Sequence, residues 1–290
     1  MEKIIVVCGP TATGKSDYAV VLAKNPPAGG RGEIISADSR QVYKDLDIGS
    51  GKVPRDRRPP TNHLLKTTYF YKGVPHHLLD VANPKRVFSV ARYQKLADKA
   101  IGDILKRGKV PIICGGTGFY IDALVYDQSL PQVKPDKTLR KQLEKLSVEE
   151  LAKKLESLDA DRFETIDTKN KVRLIRAIEI ATALGSVPKT TRIKKYDVQW
   201  HYLDFPDDIL KERIHIRLLK RMKTGMVAEV ERLHAEGVSW KRLESLGLEY
   251  RYLALFLQGK LSKTEMLTQL ESAIWHYAKR QRTWFKKYAK

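Results

Sequence analysis

The stretch Gly9-Pro10-Thr11-Ala12-Thr13-Gly14-Lys15-Ser16 constrains this chain more than any other. It fits G-x-x-x-x-G-K-[ST], and it lies between a strand-like and a helical pattern, as a phosphate-binding P-loop requires. Before it, Ile4, Ile5, Val6 and Val7 are continuous and β-branched, which predicts a short buried strand over Lys3 to Cys8. After it, Ala19, Val20, Leu22 and Ala23 repeat at helical spacing over Asp17 to Lys24, and Pro26-Pro27-Ala28-Gly29-Gly30 stops them. Glycines let backbone N–H groups turn inward around phosphate oxygens. The helix opening near Lys15 adds a positive dipole end. Lys15 supplies a point charge, and the Ser16 hydroxyl can hold Mg2+. The motif does not separate a nucleoside triphosphate such as ATP from a diphosphate ester, because both satisfy the same N–H groups.

The pattern then repeats. Glu33 to Ala37 predicts a second strand ending at Asp38, Arg92 to Lys106 a helix closed by Gly108, and Val110 to Cys114 a third strand running into Gly115-Gly116-Thr117-Gly118. Strands alternating with helices of this length imply a parallel sheet. In such sheets ligands sit at the carboxyl ends of the strands. Asp38 and Thr117 are therefore expected at the same edge as the P-loop. There Asp38 either meets Mg2+ through water or takes a proton from a nucleophile, or it caps the next segment. Thr117 either binds a phosphate oxygen or the acceptor, or it closes a plain strand-to-helix turn.

Further segments complete the organisation. Val53 to Pro75 carries Arg55, Arg57, Arg58, Pro59 and Pro60, then Tyr69-Phe70-Tyr71, and reads as a surface excursion in the form of a hairpin. From Lys137 to Lys195 the chain turns helical, with Leu139, Leu143, Leu146, Leu151, Leu155 and Leu158 at helical spacing and a further helix over Lys169 to Leu184. Trp200 to Phe205 predicts a strand returning to the sheet, followed by helices at Asp208–Glu236 and at Lys263–Lys279 continuing to Trp284. The expected class is α/β: a P-loop-type parallel sheet core flanked by helices, with a mainly helical insertion. The core takes residues 1–136 and 199–290, and the insert takes 137–198.

A net charge of +20 on 290 residues favours a polyanionic partner, nucleic acid or an anionic membrane surface. With 42% hydrophobic and 30% charged residues the chain can still pack a core. No apolar stretch approaches the ~20 residues that span a bilayer, so no membrane partner is expected. The basic residues fall in series. Lys169, Lys171, Arg173 and Arg176 lead to Lys189, Arg192, Lys194 and Lys195. Arg213, Arg217, Lys220 and Arg221 follow at i, i+4, i+7 and i+8, and the run Trp275 to Lys287 mixes cations with aromatics. Such runs are usually solvated faces, but three of one sign tip the reading toward RNA. The two cysteines, Cys8 and Cys114, predict small buried residues and a reducing, cytosolic compartment. They are too few and too far apart for zinc. A metal site from His63, His76 and His77 competes with core and hydrogen-bonding roles for the same residues.

Taken together, the P-loop, Ile34 to Tyr43 (Ile-Ile-Ser-Ala-Asp-Ser-Arg-Gln-Val-Tyr), Asp47-Ile48-Gly49, His76 to Asp80, Gly115 to Tyr120, Arg173 to Glu179 and Lys279 to Phe285 resemble the tRNA dimethylallyltransferases, of bacterial type. The blocks span nearly the whole chain, and Asp-Ser-Arg-Gln-Val-Tyr after a P-loop is the most specific. The resemblance implies transfer of a dimethylallyl group from its diphosphate to the exocyclic amine of the adenosine beside the anticodon of tRNA. It implies that the P-loop holds the leaving diphosphate with Mg2+, that Asp38 takes the amine proton, that Thr117 orients the acceptor or bridges to the phosphate, and that Arg213 or Arg217 binds diphosphate. Its tRNA contacts fall on Asp38, Ser39, Arg40, Gln41, Thr117, Arg140, Val172, Arg173, Leu174, Ile175, Arg176 and the region Gly247 to Arg251. A monomer is the expected state. The chain departs from the family in two places: Val53–Pro75 is longer than in many bacterial members, and Glu249-Tyr250-Arg251 stands where the family often has Gly-Tyr-Lys/Arg. Competing readings are an adenylate prenyltransferase acting on free nucleotide, an ATP-dependent small-molecule kinase, and a non-catalytic RNA-binding protein.

Overall fold

The apolar run after Glu2 forms β1 (Lys3–Cys8), and its side chains alternate between two cores. Ile4, Val6 and Cys8 enter the larger core, whereas Ile5 and Val7 enter the smaller. A strand buried on both faces reads as a continuous apolar run, which explains its sequence. The computed structural model describes residues 1–27, 29–57, 69–127, 131, 133–189 and 193–289. In it, β2 (Gly32–Ser36), β3 (Tyr69–Tyr71), β4 (Val74–His77), β5 (Val110–Gly115) and β8 (Asp197–Tyr202) join β1 in one sheet of order β3-β4-β2-β5-β1-β8. Every pairing in it is parallel except β3 with β4. Two short strands, β6 (Tyr126–Asp127) and β7 (Ile193–Lys194), pair with each other.

Helix α1 (Lys15–Lys24) covers the smaller core through Ala19, Val20 and Ala23. The larger core collects α2 (Val90–Lys106), α3 (Gly118–Val125) and five later helices: α8 (Asp207–Lys223), α9 (Met226–Ala235), α10 (Trp240–Ser245), α11 (Leu248–Leu257) and α12 (Lys263–Phe285). Local chemistry sets their starts. Ser89 caps α2 by accepting from the Arg92 amide, and Ser262 with Glu265 forms a capping box on α12. Gly225, at φ +100°, ends the long helix expected over Asp208–Glu236, so the segment folds as α8 and α9. The sequence reading did not anticipate α10 and α11.

The segment Val53–Pro75 is only partly the surface excursion expected. Lys72 and Gly73, both at positive φ, turn a hairpin between β3 and β4. Phe70 and Val74 are buried, and β4 pairs in parallel with β2, so this stretch returns to the sheet. Arg58, Pro59, Pro60 and His63 lie outside the described residues, as does Arg192. His77 Nε2 meets the buried Glu33 carboxylate at 2.7 Å, alongside Arg107 and Lys109. Burial pushes His76 down to about 4, and as a neutral ring it donates from Nδ1 to the Val74 carbonyl. These histidines serve structural contacts, and among the described residues no group of three or more His, Cys, Asp or Glu could hold a metal ion.

A separate unit spans Asp127–Ile193, whereas the sequence reading placed the insert at 137–198. Its helices are α4 (Lys137–Leu143), α5 (Val148–Leu158), α6 (Ala160–Thr165) and α7 (Lys171–Leu184). Leu143, Leu151, Leu155, Leu174, Ile175 and Ile178 form its own core. Buried Glu179 accepts from Arg140 (2.6 Å), Arg176 (3.2 Å) and the Asp136 amide (3.0 Å). No helix among the described residues is long and apolar enough to cross a membrane.

One buried carboxylate shapes the loop after β2. Glu229 on α9 accepts from the amides of Asp47 (2.9 Å), Ile48 (2.7 Å) and Gly49 (3.0 Å) and from the Tyr250 hydroxyl (2.8 Å). Four donors converge on one acceptor-only group, and an amide in its place would set an N–H2 against backbone N–H. Glu229→Gln should therefore lower unfolding free energy by about 1–3 kcal/mol, measured as a shift of the urea midpoint at unchanged m-value.

Candidate active site

A cleft of about 630 Å3 opens at the carboxyl ends of β1, β2 and β5. Parallel pairing sends all three strand ends to one edge, so the loops that follow must meet there. They meet closely. A Cβ on Gly9 would collide with the carbonyl oxygen of Leu203, at the end of β8, and a Cβ on Gly115 would collide with that of Ala37. The walls of the cleft include Thr11 to Ser16, Asp38, Thr117, Arg217, Glu249 and Arg280.

The P-loop is held from both sides. Ala12 and Gly14 take positive φ (64° and 83°), so successive amides curl into a concave surface. Thr13 Oγ1 and Lys15 Nζ both donate to the Pro10 carbonyl. Burial above all, with Arg217 acting in the same direction, pushes the Lys15 ammonium down to about 8. A bound polyanion would relieve that strain by favouring the charged form. From α8, Arg213 Nε donates to the Ala12 carbonyl (2.7 Å) and Arg217 Nη1 to Thr11 Oγ1 (3.1 Å). From α12, the Gln281 side chain accepts from the Thr11 amide (2.8 Å) and donates to the Gly116 carbonyl (2.8 Å). One amide thus ties the P-loop to the loop after β5.

Across the cleft, Asp38 Oδ1 accepts from the amides of Arg40 (2.8 Å) and Gln41 (3.3 Å). The capping role and the chemical role are both open to it, because only one oxygen is used in the turn. Thr117 Oγ1 accepts from the Ser39 amide (3.0 Å) and donates to Ser39 Oγ (3.3 Å), and the Thr117 amide donates to the Ala37 carbonyl (3.1 Å). These bonds lock the Asp38–Ser39 turn against the third strand's loop.

The structure thus brings together Lys15, Ser16, Asp38, Ser39, Arg40, Gln41, Thr117, Arg217 and Arg251 on one cleft, with Arg213 behind the P-loop. Gly9 and Pro10 shape the loop without lining it. Arg140, Val172, Arg173, Leu174, Ile175 and Arg176 belong to the helical unit. There Leu174 and Ile175 are core residues, Arg140 and Arg176 are engaged with Glu179, and Val172 and Arg173 are exposed. Two of the basic series depart from the solvated, RNA-facing reading. Arg213, Arg217 and Arg221 turn toward the P-loop and the loop after β2. In the C-terminal run Ala278, Gln281 and Phe285 are buried, and Arg282 pairs with Asp204 and Asp207. A helix that must dock on the core spends its inward cations on local partners. Sequence reasoning missed Gln281, Glu229 and Glu249, whose partners lie far away in the chain. The one signal for Glu249 is its departure from the Gly-Tyr-Lys/Arg pattern.

The chain matches the family described as IPP transferase over residues 41–288 and the one described as isopentenyl transferase over residues 2–71. It is 44% identical to tRNA dimethylallyltransferase 2 of Treponema denticola, over 99% of this chain and 92% of that one. It is 42% identical to tRNA dimethylallyltransferase 2 of Citrifermentans bemidjiense, over 99% and 87%. Its fold is similar to the crystal structure of a tRNA isopentenylpyrophosphate transferase from Bacillus halodurans, with a TM-score of 0.68 at 33% identity, covering 99% of this chain and 87% of that one.

Gln281→Ala leaves a part-buried Thr11 amide and a buried Gly116 carbonyl without their partner. We expect about 1–3 kcal/mol lower stability by denaturant titration, together with weaker binding of inorganic pyrophosphate by calorimetry. Pyrophosphate binding at the unsubstituted level would show that the P-loop keeps its shape without the bridge.

Proposed function

The chain belongs to the IPP transferase family, and from that premise we propose that it transfers a dimethylallyl group from dimethylallyl diphosphate to the exocyclic amine of an adenosine in tRNA, the one beside the anticodon. The observation that carries this reading is the opposition of a cationic P-loop and the Asp38–Thr117 wall across one cleft. One side is built for a diphosphate, and the other offers a carboxylate and a hydroxyl to an acceptor.

The P-loop amides, Lys15 and Arg217 bind the diphosphate and stabilise the charge that grows on it as the bond to carbon breaks. The adenine nitrogen attacks C1 of the donor, the C1–O bond breaks, and its electron pair leaves on the diphosphate. The nitrogen's proton passes to Asp38, whose Oδ1 is fixed by the Arg40 and Gln41 amides so that Oδ2 serves as the base. Thr117, itself held by Ser39, positions the acceptor. Ser16 offers a hard oxygen on the cleft wall, and the described residues build no cage of their own for a metal. That donor set suits Mg2+, which favours phosphate oxygens and water over an all-protein shell. Bound with the donor, it would be held by Ser16 and would neutralise charge on the leaving group.

Binding of the RNA draws on the helical unit. Val172 and Arg173 stand exposed on the first turn of α7, and Arg140 and Arg176 keep a third or more of their side chains open while holding Glu179. The +20 charge gives the long-range attraction.

Incubating the protein and Mg2+ with radiolabelled dimethylallyl diphosphate and either unmodified tRNA or AMP tests the reading. Label in tRNA alone supports it, label in AMP moves it to free nucleotides, and ATP turnover without label moves it to the kinases. Asp38→Asn should lower kcat about 10²–10⁴-fold and leave tRNA affinity within about twofold. Full activity in that variant removes Asp38 as the base. Arg173→Ala should weaken tRNA binding and reduce the slope of log K against log salt by about 1, read by filter binding over a salt series.

A further inference from the structure

Arg217 and Arg221 stand one turn apart on α8 and converge on one point. The Nη2 atoms of Arg221 and Arg217 lie 1.5 and 2.5 Å from where a Cβ on Gly51 would stand, so the two atoms are at most about 4 Å apart. Arg217 reaches Thr11 in the P-loop. Arg221 instead donates to Glu249 Oε1 at 3.1 Å and approaches the Gly49 carbonyl at 3.5 Å. The Arg221 and Glu249 side chains are only 12% and 20% exposed, so water screens the cluster poorly. Burial first, and Arg221 next, press the Arg217 guanidinium down from its usual range, while Glu249 and Asp38 oppose them.

Glu249 is also part of the cleft wall. A carboxylate there repels the polyanion that the rest of the wall attracts. It stands, moreover, where the family resemblance leads one to expect glycine. A residue that serves only to bind diphosphate would not carry this charge.

We propose that Glu249 is an exchangeable counter-ion for Arg221. It holds the guanidinium while the cleft is free and competes for it when pyrophosphate is present, so that the product leaves a site where Lys15 and Arg217 line the wall and Arg221, beside the lining residue Gly51, would otherwise help to retain it. The inference rests on reading the cleft as a diphosphate site. Glu249 acts through Arg221 and is a positioning residue, set by α11 at the second position of its first turn.

The test is calorimetric titration of inorganic pyrophosphate into the unsubstituted protein and into Glu249→Gln, Glu249→Gly and Glu249→Gln/Arg221→Gln. Both single variants should bind about tenfold more tightly, equivalent to roughly 1.4 kcal/mol. The double variant should lose the gain, because the freed guanidinium is gone. In the transferase assay kcat and KM should fall together in the single variants, as expected when product release slows. Mere structural damage weakens binding, so tightening is a signature that damage does not produce. Glu249→Asp, which keeps the charge, should stay within about twofold of the unsubstituted protein. Glycine at 249, the residue that the family resemblance leads one to expect there, gives a second reading should glutamine not fold. If the unsubstituted protein binds pyrophosphate but neither single variant binds it more tightly, the counter-ion role is wrong and the diphosphate site stands. If the unsubstituted protein does not bind it, both fall.

Discussion

The cleft depends on how closely the ends of the parallel strands approach one another. At Gly9 and at Gly115 the neighbouring backbone leaves no room for a side chain. This contact is backbone on backbone, the least compressible kind, so it fixes the spacing of the loops that follow. The P-loop and the Asp38 turn stand on strands separated by β5, so the sheet sets their spacing first. Thr117 and Gln281 then stitch the edges together, one to the Ser39 turn and the other between Thr11 and Gly116.

The same geometry concentrates positive charge. Lys15, Arg217 and Arg221 are drawn into a confined region by the loops they support, and each finds partial compensation: the Pro10 carbonyl, the Thr11 hydroxyl and the Glu249 carboxylate. Neutral acceptors offset a buried cation only in part. The free protein thus carries unspent electrostatic potential, which an anionic ligand can discharge. Binding energy here is prepared during folding, by packing helix α8 against the loops. The helical unit follows another rule, since its central carboxylate, Glu179, gathers two arginines that stay partly exposed. Its charged groups stay apart from its hydrophobic core.

The sequence was most legible where cause and consequence are neighbours. The P-loop, the ends of β2 and β5, and the parallel sheet all follow from residues a few positions apart, and Asp38 and Thr117 were reachable because a strand end points at its own loop. Legibility failed where the sign of a charge had to stand in for its direction. By spacing alone Arg213, Arg217 and Arg221 read as a solvated basic face, and only the family resemblance pointed Arg213 or Arg217 at diphosphate; the spacing equally suits a face turned inward, and the acceptors that decide the matter are Ala12, Thr11 and Gly49. Leu174 and Ile175 were read as RNA contacts through the family resemblance, although their periodicity with Ile178 marks a core stripe. Glu229 could not be found at all, because its three amide partners are some 180 residues earlier.

The Gln281 bridge spans 270 residues of chain. A ribosome releases Thr11 early and Gln281 late, and at roughly 5–20 residues per second the interval is on the order of tens of seconds. During that interval the sheet's central strands can pair, yet the Thr11 amide and the Gly116 carbonyl lack the group that joins them. The two loops of the cleft are thus joined last, when α12 arrives.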